Sequence, residues 1–370
     1  MREIKKVLTT VNYNEAQLQK LKSFFDGSEF VHLSHADSEG IAREIKDADV
    51  VILPCDLDDR FLQSPSVKWI HCDHAGLNKS ARPEVFKKGI ILTGSAGRSA
   101  PVLAEHCVYF MLLSCYHTKD FLKAQENHEW GVDGQENLRG LFGRTAGIIG
   151  FGNNGRMLAE RLHAFGMDII AYDRNPIEGF DYLSKKLCSE NGDTLDYLYE
   201  NSDFVVLCIA LSDETHHLID KEAFSKMKKG VTLVNMARGG VVDTKALIEA
   251  IKNKTVACAG LDVFEDEPLG KGSELWDMKE VYITPHCTPQ VPDRTGRSIE
   301  IIGENVRRYK AEEPMLNRVS AKDVNTSAAM SPERLAEMKA KYLESKNNPD
   351  LDEKTRRMME QYAFIYGLNN

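Results

Sequence analysis

Short apolar runs separated by stretches of helical period fill the first hundred residues. Val7-Leu8-Thr9, Val31-His32-Leu33 and Val50-Val51-Ile52-Leu53 read as buried strands, with helices over Glu15 to Phe25 and Ser38 to Lys46 between them. Further strands are expected at Val67 to Cys72 and Gly89 to Thr93, followed by one long apolar helix from Ala100 to Ala124. The alternation then restarts, with strands at Thr145 to Ile149, Asp168 to Asp173, Phe204 to Ile209, Val231 to Val234, Val256 to Ala259 and Val281 to Ile283. A last helix, Arg297 to Tyr309, should pack back on the first unit and make it discontinuous. Strands alternating with helices predict parallel sheets covered on both faces, here as two α/β units in series.

Beyond about Ser320 the chain turns charged and polar. Ser331-Pro332-Glu333 is a helix start, Asp350 with Glu353 a second one, and Gly367 a stop. Leu335, Met338 and Tyr342 form one apolar stripe and Met358, Tyr362 and Ile365 another, which predicts a helical hairpin docked on a surface or a partner subunit, as a stabilising appendage ahead of a regulatory or interaction element.

A chain of 370 residues is too long for one ordinary core and is expected to form two domains. Its formal net charge of −9, with no long basic block, argues against nucleic acid as a partner. No apolar stretch approaches the length that spans a bilayer, and the N-terminus runs directly into a strand-like segment, so neither membrane insertion nor export is expected. The eight cysteines include no Cys-x-x-Cys pair. Several lie inside apolar strands (Cys208, Cys258) or helices (Cys107, Cys115), which suits a reducing, cytoplasmic setting.

The chemistry concentrates in the second unit. Thr145-Ala146-Gly147-Ile148-Ile149-Gly150-Phe151-Gly152-Asn153-Asn154-Gly155-Arg156 is an apolar strand turning through spaced glycines into a helix, and Asp173 closes the next strand. This is the pattern of a dinucleotide-binding βαβ unit. Gly150 permits the tight turn, Gly152 a close backbone approach to a pyrophosphate, and Gly155 the packing of helix on strand, while the helix N-terminus offers N–H groups to phosphate.

Three more segments leave strand ends, where ligands of such sheets bind. Val234-Asn235-Met236-Ala237-Arg238-Gly239-Gly240 places a guanidinium beside two glycines, and Arg suits bidentate capture of a carboxylate. Gly260-Leu261-Asp262-Val263-Phe264-Glu265-Asp266-Glu267-Pro268 brings carboxylates, and Ile283-Thr284-Pro285-His286 an imidazole. Together they supply what hydride transfer between a nicotinamide and a 2-hydroxy or 2-oxo acid requires: an imidazole to move the hydroxyl proton, a carboxylate to hold it, and an arginine for the substrate carboxylate.

The glycine fingerprint, Asn235-Met236-Ala237-Arg238-Gly239-Gly240, Leu261-Asp262-Val263-Phe264-Glu265-Asp266-Glu267-Pro268 and Thr284-Pro285-His286 resemble, in order and spacing, the NAD-dependent D-isomer-specific 2-hydroxyacid dehydrogenases. The resemblance runs from the first strand to about Val319. It implies an α/β fold of two doubly wound parallel-sheet domains with a helical C-terminal extension. A discontinuous flavodoxin-like substrate domain (1–100 and 288–320), a Rossmann-type NAD-binding domain (101–287) and the extension (321–370) are expected. It implies Arg238 as substrate-binding arginine, His286 as acid/base and Glu267, the position before the proline, as its carboxylate, with Glu265 the rival. Asp262 would contact the nicotinamide carboxamide. Cofactor contacts are expected from Gly150, Gly152, Asn153, Asn154, Gly155, Asp173, Arg174, Ala210, Ala237, Asp262 and His286, and substrate contacts from His74, Ala75 and Gly76 besides Arg238.

Asp173 should accept from the adenosine ribose hydroxyls and favour NAD over NADP, with Arg174 beside it as the group that would tolerate a 2′-phosphate. His71-Cys72-Asp73-His74 looks metal-like, but strand alternation separates its side chains and no fourth ligand is evident, so no metal is expected. Departures from the family pattern at Ser99, at Ala210-Leu211-Ser212 and at Cys287-Thr288-Pro289 bear on which acid is preferred. A small 2-oxo or 2-hydroxy acid and a second copy of the chain are the expected partners. Glu267 argues against a formate dehydrogenase, which carries glutamine there; a phosphite-type dehydrogenase and an NAD(H)-sensing, corepressor-like scaffold are the alternatives.

Overall fold

Among the described residues, thirteen strands carry the architecture: β1 (Lys6–Thr9), β2 (Glu29–His32), β3 (Val50–Leu53), β4 (Trp69–Cys72), β5 (Ile91–Gly94), β6 (Thr145–Ile149), β7 (Asp168–Asp173), β8 (Lys185–Cys188), β9 (Phe204–Leu207), β10 (Val231–Asn235), β11 (Val256–Leu261), β12 (Val281–Ile283) and β13 (Arg318–Val319). The structure is a computed structural model. It describes residues 2–324 apart from 289, 290 and 292, and beyond them 339, 340, 342, 343, 346, 347 and 356. Two compact units emerge, one of Met1–Arg98 with Asp293–Asn370 and one of Ser99–Pro292.

The first unit holds a sheet in the order β13-β5-β4-β3-β1-β2. Its strands are parallel except β13, which lies antiparallel on the β5 edge. Every residue of β3 is fully buried, because alternate side chains feed opposite layers. Val51 and Leu53 join Leu8, Ile70 and Leu92 on one face. Val50 and Ile52 join Val7 and Trp69 on the other, where the helix Arg294–Ala311 contributes Ile299, Ile302, Val306 and Tyr309 at helical spacing. Trp69 stacks on Tyr309 with ring centroids 5.6 Å apart.

In the second unit the order is β12-β11-β10-β9-β6-β7-β8, parallel throughout. The chain starts at β6, moves out through β7 and β8, then returns to β9 on the other side of β6 and continues to β12. The order therefore reverses between β6 and β9, and such a reversal opens a crevice at the carboxyl ends of the strands. One face of the sheet packs under the helix Thr244–Lys252 and the other under the helices Ala100–Cys115 and Asn153–Ala164.

Five expected elements need correction. The helix expected over Ala100 to Ala124 breaks after Cys115, where His117 takes φ 45° and a second helix, Thr118–Glu126, begins. No Gly or Pro announces that break; histidine is among the residue types that enter the left-handed region more readily than most, and the Thr118 hydroxyl donates to the Leu113 carbonyl. The strand expected to reach Ile209 ends at Leu207, so Cys208 lies half-buried just beyond β9. The strands expected from Val67 and Gly89 begin at Trp69 and Ile91, and the last helix begins at Arg294. β8 and β13 are edge strands that pair through their backbones, with little apolar patterning to mark them. Ser331, Pro332, Glu333, Leu335, Met338, Asp350, Glu353, Met358, Tyr362, Ile365 and Gly367 of the expected hairpin lie outside the described residues, while Tyr342 is helical and buried.

Candidate active site

The glycine turn sits at the reversal between β6 and β9. Gly150 has φ 96°, and a Cβ on it would lie 2.5 Å from the Ile209 side chain and 2.7 Å from the Cys208 backbone. A Cβ on Gly155 would come within 2.1 Å of the Gly150 carbonyl oxygen, so the helix Asn153–Ala164 packs against the turn only because that position has no side chain. At Gly152 the same construction meets nothing within 4 Å, leaving the backbone open to a ligand. Gly152 caps the helix, no acidic residue occupies its first turn, and Asn154 Oδ1 is buried without a hydrogen-bond partner among the described residues. An open glycine capping a helix whose first turn carries no acidic residue fits a pyrophosphate. Asp173, at the end of β7, accepts the Phe151 N–H on Oδ2 at 2.7 Å and the Asn175 N–H on Oδ1 at 3.0 Å, which fixes a carboxylate beside the turn. Arg174 reaches Glu214 at 3.4 Å.

Arg238, Glu267 and His286 come from the ends of three adjacent strands. β10 pairs with β11 through Asn235 and Leu261, and β11 with β12 through Leu261 and Ile283, so the three following loops leave the sheet side by side. Gly239 backs so closely on Phe264 that a Cβ there would lie 1.8 Å from its carbonyl carbon. Phe264 in turn donates its N–H to Glu267 Oε1 at 2.9 Å. The other oxygen of Glu267 meets His286 Nδ1 at 2.8 Å, with the carboxylate 7% and the imidazole 29% exposed. His286 sits at φ 50°, held by its own N–H, which donates to the Asp262 carbonyl at 2.8 Å. Glu265 points elsewhere, accepting from His217 at 2.6 Å and from the Thr244 N–H at 2.9 Å. Ala237 donates its N–H to Asn235 Oδ1, and Arg238 Nη1 donates to the Ala237 carbonyl at 2.6 Å. Ala210 is exposed three residues past β9.

In the first unit, His74, Ala75 and Gly76 form a turn after β4, with Gly76 at φ 78°. The residues before it are spent on structure. His71 is fully buried, its ring nitrogens meeting Thr93 Oγ1 at 2.9 Å and Ser95 Oγ at 3.0 Å. Burial pushes its pKa down to about 4. Asp73 accepts from Arg98 and from Ser95, each at 3.0 Å, and the Cys72 thiol faces Ser80 at 3.7 Å.

Residues that no motif marks complete the region. His106, on the helix Ala100–Cys115, reaches Thr284 and Thr288, and through their hydroxyls the 2%-exposed Asp262. The helical pattern shows His106 only as a polar residue on a buried stretch, and that interruption is the one sequence signal for it.

A glycine turn at the topological reversal, with an imidazole–carboxylate pair and a guanidinium beside it, defines a dinucleotide-dependent oxidoreductase. Residues 108–288 match the NAD-binding domain of the D-isomer specific 2-hydroxyacid dehydrogenases. The chain is 30% identical over 322 residues to the glyoxylate reductase of Korarchaeum cryptofilum, covering 85% of this chain and 96% of the relative. It is 34% identical over 285 residues to the hydroxypyruvate reductase of Thermotoga maritima, covering 72% and 87%. Among solved structures, a D-isomer specific 2-hydroxyacid dehydrogenase from Xanthobacter autotrophicus Py2, in complex with NADPH and MES, superposes with a TM-score of 0.71 at 25% identity, covering 86% of this chain and 99% of that one. The chain belongs to the D-isomer-specific 2-hydroxyacid dehydrogenase family, and is an NAD-dependent oxidoreductase.

Proposed function

We propose that this enzyme interconverts a small 2-oxo acid, of the size of glyoxylate or hydroxypyruvate, and its D-2-hydroxy acid. The observation that carries the proposal is the His286–Glu267 pair, 2.8 Å apart, on the loops after β12 and β11, with Arg238 on the loop after the adjoining β10. The nicotinamide supplies or accepts the hydride. In the reducing direction protonated His286 donates from Nε2 to the carbonyl oxygen, while Glu267 holds Nδ1–H and so keeps the ring in one orientation. Arg238 grips the substrate carboxylate and draws electron density from the adjacent carbonyl. The backbone N–H groups of Ala75 and Gly76 are assigned to the same carboxylate, with His74 lining their turn. One 2-oxo acid, one NADH and one proton give one hydroxy acid and one NAD+, and oxidation reverses each transfer.

Gly150, Gly152, Asn153, Asn154 and Gly155 are assigned to the pyrophosphate, Asp173 to the adenosine ribose, and Ala210, Ala237 and Asp262 to the remaining cofactor contacts. Asp173 supports NAD over NADP, with Arg174 beside it as the group that would answer a 2′-phosphate. Exposed Trp130 and Phe142 (105% and 84%), following the half-exposed Tyr109 and Leu122, support a homodimer formed through the second unit. Eight cysteines without a disulfide support a cytoplasmic location, and no helix among the described residues is long and apolar enough to cross a membrane.

The test is NADH and NADPH oxidation against glyoxylate, hydroxypyruvate, pyruvate and bulkier 2-oxo acids. Turnover of a small oxo acid with NADH is the expected result. Cofactor binding without turnover of any of them would leave a nucleotide-sensing scaffold.

A further inference from the structure

Asp262 is a buried carboxylate with more donors than its surroundings first suggest. The Cys287 N–H donates to Oδ1 at 3.0 Å and the Thr284 hydroxyl to the same oxygen at 2.5 Å, while the Thr288 hydroxyl lies 3.1 Å from Oδ2. Each of those hydroxyls is also 3.2 Å from a ring nitrogen of His106: Thr284 from Nε2 and Thr288 from Nδ1. The ring is locked from behind by stacking on Phe110, centroids 4.7 Å apart.

Counting protons decides how this cluster is wired. Thr284 Oγ1 and Asp262 Oδ1 at 2.5 Å must share a proton, and an ionised carboxylate has none, so Thr284 donates. Its hydroxyl can then only accept from His106, which puts the imidazole hydrogen on Nε2. Burial holds the His106 pKa below the ordinary imidazole range, so the ring is neutral and Nδ1 carries a lone pair. The single proton of Thr288 therefore faces two acceptors, His106 Nδ1 and Asp262 Oδ2, at nearly equal distance.

We propose that His106 is a positioning residue for Asp262: it anchors Oδ1 through Thr284 and offers Thr288 an alternative acceptor, so that Oδ2 is released to take an N–H from the nicotinamide carboxamide. When that N–H arrives, Thr288 turns to Nδ1, so that Oδ2 faces the carboxamide alone and both ring nitrogens of His106 are paired, an arrangement that an apolar residue at 106 cannot offer. The His286 N–H also hangs on the Asp262 carbonyl at 2.8 Å, so the carboxamide contact and the proton-transfer residue share one anchor. The inference rests on the assignment of Asp262 to the carboxamide.

The test is calorimetric binding of NAD+ and of 3-acetylpyridine adenine dinucleotide, in which a methyl ketone replaces the amide and cannot donate. Wild-type enzyme should bind NAD+ about tenfold or more tighter, the worth of one hydrogen bond to a carboxylate. Asp262→Ala should erase that ratio, and His106→Leu and Thr284→Val, each checked by thermal melting, should bring it close to one. If Asp262→Ala erases the ratio while the two folded variants keep it, His106 does not position Asp262 and the proposal falls, with the Asp262 assignment intact. If Asp262→Ala leaves the ratio as in wild type, the carboxamide is held elsewhere and both fall together. A purely structural histidine would change stability or both affinities equally, and would leave the ratio alone.

Discussion

Glu267 binds His286 with one carboxylate oxygen and the Phe264 N–H with the other, at 2.8 and 2.9 Å. A carboxylate held at both oxygens cannot swing, so it fixes the imbalance of the ring: Nδ1 is occupied and Nε2 is left to exchange a proton. His286→Ala should lower kcat by about 10²–10⁴-fold, the usual worth of general acid–base catalysis, while NADH affinity measured by fluorescence titration is retained. Near-normal turnover would remove His286 from the mechanism. Because reduction consumes a proton, the equilibrium constant measured from NADH absorbance should favour the hydroxy acid about tenfold more for each unit the pH falls.

Arg238→Lys keeps the charge and loses the planar fork. The expected outcome is a fall in kcat/KM of roughly 10–100-fold, the range of a lost charge-assisted hydrogen bond, with cofactor affinity unchanged. Weaker NADH binding with intact kcat/KM for the oxo acid would assign the guanidinium to the cofactor instead.

Gly155→Ala sets a methyl group 2.1 Å from the Gly150 carbonyl, which is backbone and cannot turn aside. The helix must shift away from the turn. A stability loss of about 1–3 kcal/mol in urea unfolding and a loss of NADH binding are expected. A variant as stable as wild type that still binds NADH would show that this packing does not shape the pyrophosphate site.

His71 ties acid sensitivity to the first unit. Its folded pKa of about 4 lies below the unfolded value of 6.5, so the unfolded chain takes up the proton first as the pH drops. The contribution of this group is undiminished above pH 6.5, declines between 6.5 and 4 by about 1 kcal/mol per unit, and changes no further below. Urea unfolding of wild type and His71→Gln at pH 7 and pH 5 checks this: the variant should lose less stability over that interval.

Much of this molecule is legible in contiguous stretches of chain. Val50 to Leu53 reads as a strand buried on both faces, and Gly150, Gly152 and Gly155 mark their turn within six residues, with Gly155 backing on the Gly150 carbonyl and Gly152 leaving the backbone open to a ligand. The motifs around Arg238, Glu267 and His286 are equally local. Each follows an apolar strand, and parallel strands all deliver their loops to the same edge.

The rest depended on neighbours far away in sequence. The break at His117 satisfies backbone groups that no Gly or Pro flags, and β8 and β13 exist because a sheet edge was there to pair with. Which glutamate meets His286 turns on where the loop after β11 is pinned: Glu265 is drawn to His217, and Glu267 to Phe264 and His286. His106 lies 178 positions from Thr284, and only the packing of its helix against β11 brings the ring to Asp262. Periodicity and turn chemistry are properties of neighbouring residues and can be read along the chain. The wiring of a buried polar cluster is set by which side chains the folded core forces to share the same few protons.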